Sequence, residues 1–204
     1  MRLEEIKASI EAAVPGAGLE IIPNPAPGQP ASLLVDNAQA LAVARLLRDQ
    51  MKFDYASNVT GIDWLDTVSK EKRKTRKKVD GEEKDVEETV EVRRPGYLEV
   101  VYHLYSMVNK QGPVIIRLRT GNRTDQVEVP SLTPVYRGAE LQEREVYDLY
   151  GVLFRGHPDL RRLLMWDEFQ DYPMRKDYVE PDDYEYEPTA HDTVLERARR
   201  HAQS

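Results

Sequence analysis

Apolar positions in the first fifty residues follow a helical rhythm interrupted by short runs. Leu3, Ile6, Ile10 and Val14 recur at helical spacing, with Glu4 and Glu5 where acids complement a helix N-terminus and Pro15-Gly16 closing the run. This pattern predicts a first helix. LEII at 19–22 reads as a short strand, and the Pro- and Gly-rich IPNPAPGQP predicts a loop. ASLLV then reads as a second strand. Asp36 or Asn37 can cap a second helix, in which Leu41, Ala44, Leu47 and Met51 keep the helical period.

Further on, the period changes to two. YASNVTGIDWLDTV at 55–68 is rich in β-branched and aromatic residues, with Gly61 as a candidate bulge. In the run 97–107, Leu98, Val100, Tyr102, Leu104 and Ser106 point one way, and Glu99, Val101, His103 and Tyr105 the other. In the next run Val114, Ile116 and Leu118 share one face, while Arg117 and Arg119 share the opposite one. The two runs predict a hairpin with one buried face. The order helix, two strands, helix, three strands predicts an α+β fold, a two-layer domain of helices on a mixed sheet, followed by a helical motif and an extended C-terminal arm. The expected division is 1–130 for the α+β domain, 131–178 for the motif region and 179–204 for an acidic, Tyr-rich arm.

Composition narrows the chemistry. The chain has 204 residues, 40% of them hydrophobic and 32% charged, with a net charge of -7 and no Cys; the mean hydropathy is -0.63. That length suits one core with tails. The acidic balance argues against a surface built for nucleic acid. No run of about 18 apolar residues is present, and MRLEEIKASIEAAV lacks the basic start and apolar run of a secretory signal, so a cytoplasmic location is expected. Without Cys, an iron–sulfur cluster or a thiolate zinc site within this chain is implausible. G-x-G-x-x-G, a P-loop Lys and H-E-x-x-H are absent too. The expectation is a chain with no catalytic, cofactor or metal residues of its own.

Residues 69–94 form a charged insertion whose stretch from Lys70 to Lys78 is dominated by Lys and Arg and is followed by an acidic run. It reads either as a nucleic-acid or anionic-lipid patch or as a solvated hairpin extension or mobile loop whose two halves attract each other. The basic half has no interleaved aromatics to stack on bases, which favours the second.

The densest stretch is EREVYDLYGVLFRGHPDLRRLL, residues 143–164. A helix is expected up to Gly151, with Leu141, Val146, Leu149 and Tyr150 along one side. Arg144 and Asp148, four apart, form a potential ion pair, and Glu145 shares a face with Asp148. Gly156 and Pro158 turn the chain after it, and Asp159 can cap a short following segment, LRRLLMW. Carboxylates near His157 could serve acid–base or metal chemistry. They could equally be surface pairs on one helix, or one half of an obligate interface in which Arg forks meet carboxylates and aromatics fill pockets.

With the closing MWDEFQDYPMRKDY, this stretch resembles the signature of the 30 kDa, or C-type, subunit of proton-pumping NADH:quinone oxidoreductase, respiratory complex I. The resemblance rests on Glu143, Arg144, Glu145, Asp148, Leu149, Tyr150, Gly151, His157, Arg161, Leu163 and Leu164 in unbroken spacing, and on Pro173, Arg175, Lys176, Asp177 and Tyr178. It is strong over about 95–180 and compatible in pattern over the first 68 residues. Where the family usually has Trp, this chain has Leu141, and the insertion 69–94 is longer than expected.

The resemblance implies a subunit that holds no flavin and no cluster. It packs in the peripheral arm against the large D-type subunit, near subunits B and I, on the cytoplasmic side of the inner membrane, with FMN and Fe-S clusters in partner subunits. It implies interface roles for Glu143, Arg144, Glu145, Asp148, Tyr150, Gly151, His157, Asp159, Arg161, Arg162, Arg175 and Lys176, partly within the chain and partly across it. Membrane association comes through the complex, and no nucleic acid is implied. An equivalent subunit of a related membrane-bound nickel–iron hydrogenase or dehydrogenase stays open, as does a stand-alone carboxylate and His metalloenzyme. The tail beyond Tyr178, with Tyr184 and Tyr186, reads as a surface-wrapping arm.

Overall fold

A computed structural model describes residues 2–79, 82–166 and 168–179, and of 71–90 the backbone alone. The expected C-terminal arm lies, from 180 onward, outside the described residues. Among the described residues three helices, α1 (Leu3–Ala13), α2 (Ala40–Asp49) and α3 (Glu140–Tyr150), accompany nine strands. The strands are β1 (Glu20–Ile22), β2 (Ser32–Leu34), β3 (Tyr55–Trp64), β4 (Thr67–Val79), β5 (Glu82–Arg94), β6 (Tyr97–Ser106), β7 (Gln111–Arg119), β8 (Glu128–Pro130) and β9 (Leu153–Arg155). Five of them form one sheet in the order β1-β2-β7-β6-β3. β2 runs parallel to β7 and the other pairs are antiparallel, so the sheet is mixed.

The alternation places the core. Leu98, Val100, Tyr102 and Leu104 of β6 join Val114, Ile116 and Leu118 of β7 in one buried cluster with Ile6 and Ile10 of α1, Val43, Ala44 and Leu47 of α2 and Val146 of α3. All three helices therefore cover the same face, the two-layer arrangement that the order of elements predicts. On the other face lies a charged centre. Glu99 is almost fully buried, accepting from Arg117 Nη1 at 3.0 Å, Arg119 Nη2 at 2.8 Å and Trp64 Nε1 at 2.8 Å.

Two local expectations change. Gly61 does not make a bulge: it pairs in register with Val100, and the irregularity falls between Ala56 and Asn58. Gly61 is needed for space, because a Cβ there would lie 2.5 Å from the Tyr150 ring. At α2 the side chain of Asp36 accepts from Ala38 N at 2.8 Å, capping the turn before the helix, while the N-cap Gln39 makes no side-chain cap bond.

The insertion leaves the main sheet as the hairpin β4–β5, with continuous antiparallel register from Thr67↔Arg94 to Val79↔Glu82. At its base Arg93 Nη2 meets Asp66 at 2.7 Å, and the other oxygen of Asp66 accepts from Gly96 N at 2.8 Å. The backbone of this segment takes the form of a hairpin extension.

Candidate functional site

Helix α3 starts after the 3-10 turn Arg137–Ala139 and ends at Gly151, whose φ of 73° is the left-handed conformation that glycine adopts at little cost. Its buried face is not the apolar one expected. Leu141 is 56% exposed, whereas Glu143, Arg144, Val146 and Asp148 are buried. Buried charges demand partners, and here those partners are chiefly peptide groups and hydroxyls.

The expected ion pair between Arg144 and Asp148 does not form, because both reach the same loop from one helix and grip its peptide groups in opposite senses. Arg144 donates from Nε to the carbonyl of Arg161 at 3.1 Å and from Nη2 to that of Arg162 at 3.0 Å. Asp148 Oδ2 accepts three successive backbone N–H groups, from Leu163 at 2.9 Å, Leu164 at 2.6 Å and Met165 at 2.9 Å. Its Oδ1 accepts from Arg162 Nη1 at 2.8 Å. Burial alone raises a carboxyl, but these donors together hold Asp148 below the ordinary carboxylate range. With three of its N–H groups drawn into one carboxylate, LRRLLMW forms a bent loop and no helix. Asp159 caps nothing there and instead takes Arg161 Nε at 2.9 Å and stands 3.7 Å from Arg144.

The loop so held turns apolar side chains outward. Leu163, Leu164 and Trp166 are 39%, 57% and 51% exposed. Arg162 lies 5.5 Å from the ring centroids of both Phe169 and Tyr172, joining the loop to the segment behind it.

That segment leads into the MRKDY run, which closes back on α3 and β3. Arg175 donates to the carbonyls of Tyr150 at 2.7 Å and Arg123 at 3.0 Å. Lys176 contributes its backbone N–H to Asp63 at 2.8 Å, and its Nζ lies 5.8 Å from the Trp64 ring. Asp63 and Arg123 form a two-point pair at 2.6 and 2.8 Å, and Arg123 also meets Asp177 at 2.9 Å. Burial opposes ionisation of Asp63, yet Arg123 and the Lys176 N–H together hold it below the usual range. Asp63, Arg123, Glu99 and Tyr102 were not expected at the site. For Glu99 a signal existed: it, Arg117 and Arg119 occupy the same face by alternation.

The remaining residues fall in place around α3. Tyr150 packs its ring on Gly61, and a Cβ on Gly151 would strike Tyr172. His157 accepts from Asp159 N at 3.0 Å through Nδ1, leaving Nε2 to donate to the Glu140 carbonyl at 3.0 Å. Both ring nitrogens are thereby committed to backbone groups, and His157 is a structural hydrogen-bonder. Glu145 is exposed, with no partner among the described residues. Glu143 is buried against Tyr102, Ser131 and Leu132. Among the described residues no group of three His, Cys, Asp or Glu could hold a metal ion, and no helix is long and apolar enough to cross a membrane.

Residues 33–185 match the family described as respiratory-chain NADH dehydrogenase, 30 Kd subunit. A protein of Roseiflexus sp., the C-type subunit of an NADH-quinone oxidoreductase, is 34% identical over 148 residues, which cover 72% of this chain and 68% of that protein. The C/D-type subunit of an NADH-quinone oxidoreductase from Phocaeicola vulgatus is 38% identical over 134 residues, 66% of this chain and 20% of that protein. The chain spans less than half the length of several other relatives it matches. Among solved structures, an archaeal membrane-bound sulfane sulfur reductase contains a chain of like fold, with a TM-score of 0.60, 21% identity and coverage of 89% of this chain and 87% of that one.

Proposed function

The chain belongs to the 30 kDa subunit family of respiratory-chain NADH dehydrogenase, and from that premise we propose that it is a non-redox structural subunit in the peripheral arm of a proton-translocating NADH:quinone oxidoreductase. In this reading it holds the quinone-reducing module together, while FMN and Fe-S clusters in partner subunits carry electrons from NADH to quinone. The observation that carries the proposal is the loop gripped by Arg144 and Asp148. Two buried charges are committed to holding peptide groups, and the result is a fixed apolar surface at Leu163, Leu164 and Trp166. Contiguous exposed apolar side chains on a rigid support suit a subunit interface.

Within the family signature the roles divide. Glu143, Arg144, Asp148, Tyr150, Gly151, His157, Arg162 and Arg175 set the shape of the joint from inside. Glu145, Arg161 and the apolar loop residues face outward to meet another chain. The large D-type subunit is the first candidate, supported by the joint name C/D of the Phocaeicola vulgatus relative; subunits B and I are the expected neighbours. Membrane attachment on the cytoplasmic side follows from the complex.

The test is to affinity-purify the tagged chain from gently solubilised membranes. Recovery with flavin- and cluster-bearing subunits and NADH:quinone activity is expected; recovery with hydrogenase-type subunits would move it to the related assembly. A chain found alone in the soluble fraction, binding a divalent metal stoichiometrically, would overturn the reading. Leu164→Ser leaves the backbone N–H for Asp148 in place and removes apolar surface. It is expected to leave the isolated chain's unfolding midpoint unchanged and to reduce the amount of assembled complex.

A further inference from the structure

Glu143 is 0% exposed, and among the described residues no Lys, Arg or His pairs with it. Its donors are the Tyr102 hydroxyl from β6 at 3.0 Å and, from the turn after β8, the Ser131 hydroxyl at 2.6 Å and the Leu132 N–H at 2.9 Å. On α3 itself, Arg144 is engaged with the carbonyls of 161 and 162, and Glu140 lies toward the surface. The Ser131 hydroxyl also stands 2.7 Å from Thr133 Oγ1, a contact in which either oxygen can donate. Thr133 lines a cavity of about 380 Å³ with Pro134, Arg137, Glu140, Gly156 and Pro158. A chain of oxygens thus runs from the buried carboxyl to a residue of the cavity wall: Glu143 Oε2, Ser131 Oγ, Thr133 Oγ1.

We propose that Glu143 is a proton-binding site of this chain, filled and emptied from that cavity through the hydroxyls of Ser131 and Thr133, whose hydrogen-bond direction reverses with the proton. When the carboxylate is ionised, Ser131 donates to it. When it is loaded, solvent in the cavity gives a proton to Thr133 Oγ1, Thr133 passes its own to Ser131 Oγ, and Ser131 passes its own to Glu143 Oε2. Each hydroxyl forms one O–H bond as it breaks another, so both stay neutral, and the net change is a carboxylate become a carboxylic acid. The neutral acid then donates to Ser131, and Ser131 to Thr133. Tyr102 takes no part as a proton source, because burial and the adjacent carboxylate hold its phenol well above the usual range.

Burial pushes the Glu143 carboxyl up to about 7, against the pull of its three donors, so both states are populated near neutral pH. The carboxyl joins β6, the turn after β8 and α3, the helix that holds the loop at 161–165. Protonation therefore changes the anchoring of the element that shapes the apolar surface.

The test uses the isolated full-length chain, so its outcome is separate from that of the family reading. Carboxyl carbons of labelled Glu are followed by NMR across pH. One midpoint near 7 is expected, absent from Glu143→Gln. Thr133→Val removes the acceptor that Ser131 needs when Glu143 is protonated. It should lower the midpoint by about one pH unit, the equivalent of one hydrogen bond. Thr133→Ser keeps the hydroxyl and should keep the midpoint. A wild-type Glu143 titrating in the ordinary carboxylate range, or a Val variant whose midpoint is unmoved or raised, would overturn the proposal. If Glu143→Gln does not fold, the two Thr133 variants decide it by themselves.

Discussion

The hairpin β4–β5 and the helix α3 are both rich in charge and use it in opposite ways. Along the hairpin, bases sit opposite acids in register, Lys70↔Glu91, Lys74↔Glu87, Arg76↔Asp85 and Lys78↔Glu83. The pair nearest its base, Lys70 and Glu91, is 3.6 Å apart with both side chains mostly exposed. Along α3 the charges of Glu143, Arg144 and Asp148 lie on the buried face, and their partners are chiefly carbonyls, N–H groups and hydroxyls fixed by the fold. Water screens the first kind of pair and leaves it nearly neutral for stability, whereas the second kind has lost its water and depends wholly on the groups it grips. Charge density in a sequence is therefore ambiguous until burial is known.

The contrast predicts a graded series of effects. Asp148→Ala should be the most damaging single change, since it strands Arg162 and three N–H groups; about 3–5 kcal/mol of stability should be lost in urea unfolding of the isolated chain. A loss under about 1 kcal/mol would place Asp148 with the hairpin charges.

Next in size is a pH effect of two signs on one helix. Glu143, raised to about 7, binds its proton more tightly folded than unfolded. Its ionisation therefore costs stability, fully above about pH 7, and the cost is relieved as pH falls toward 4.5, a change of about 3 kcal/mol. Asp148, held low, contributes stability above its unfolded value near 4 that is lost as pH falls through its lower folded value. Stability of the wild-type chain should thus rise from pH 7 to about 5 and fall in stronger acid, and Glu143→Gln should flatten the first limb alone. Arg144→Lys keeps the charge but cannot span two carbonyls with one planar fork. A loss of about 2 kcal/mol is expected by the same urea measurement.

How far the sequence foretold this depends on what kind of information each element needed. The sheet was legible because strand alternation is local: Leu98 to Leu104 and Val114 to Leu118 mark one face without knowledge of the rest. The end of α3 was legible for the same reason, since Gly151 is a local signal. The partners of Arg144 and Asp148 were not. Spacing within a helix proposes i,i+4 pairs, but the acceptors and donors chosen here are chiefly peptide groups 15 to 18 residues away, without a side-chain signature. Asp63 and Arg123, 60 residues apart in the chain, pair directly, and the returning 174–177 segment adds the Lys176 N–H and Asp177 to the pair, which only the fold reveals.

The smallest expected effect tests the hairpin side of the comparison. Lys70→Ala and Glu91→Ala, alone or together, should leave the urea midpoint within error, and the double variant should show no coupling beyond the sum of the singles. The pair faces water on both sides and lies beyond the contacts of Asp66 with Arg93 and Gly96 that root the hairpin in the sheet. Asp66→Ala removes those roots and should be felt more than either hairpin substitution. If Lys70 and Glu91 proved strongly coupled in the isolated chain, the hairpin would be stabilised by its own ladder. If they coupled only in the assembled complex, the hairpin would be a contact surface, and loss of water on binding would have turned an indifferent pair into one of the kind buried on α3.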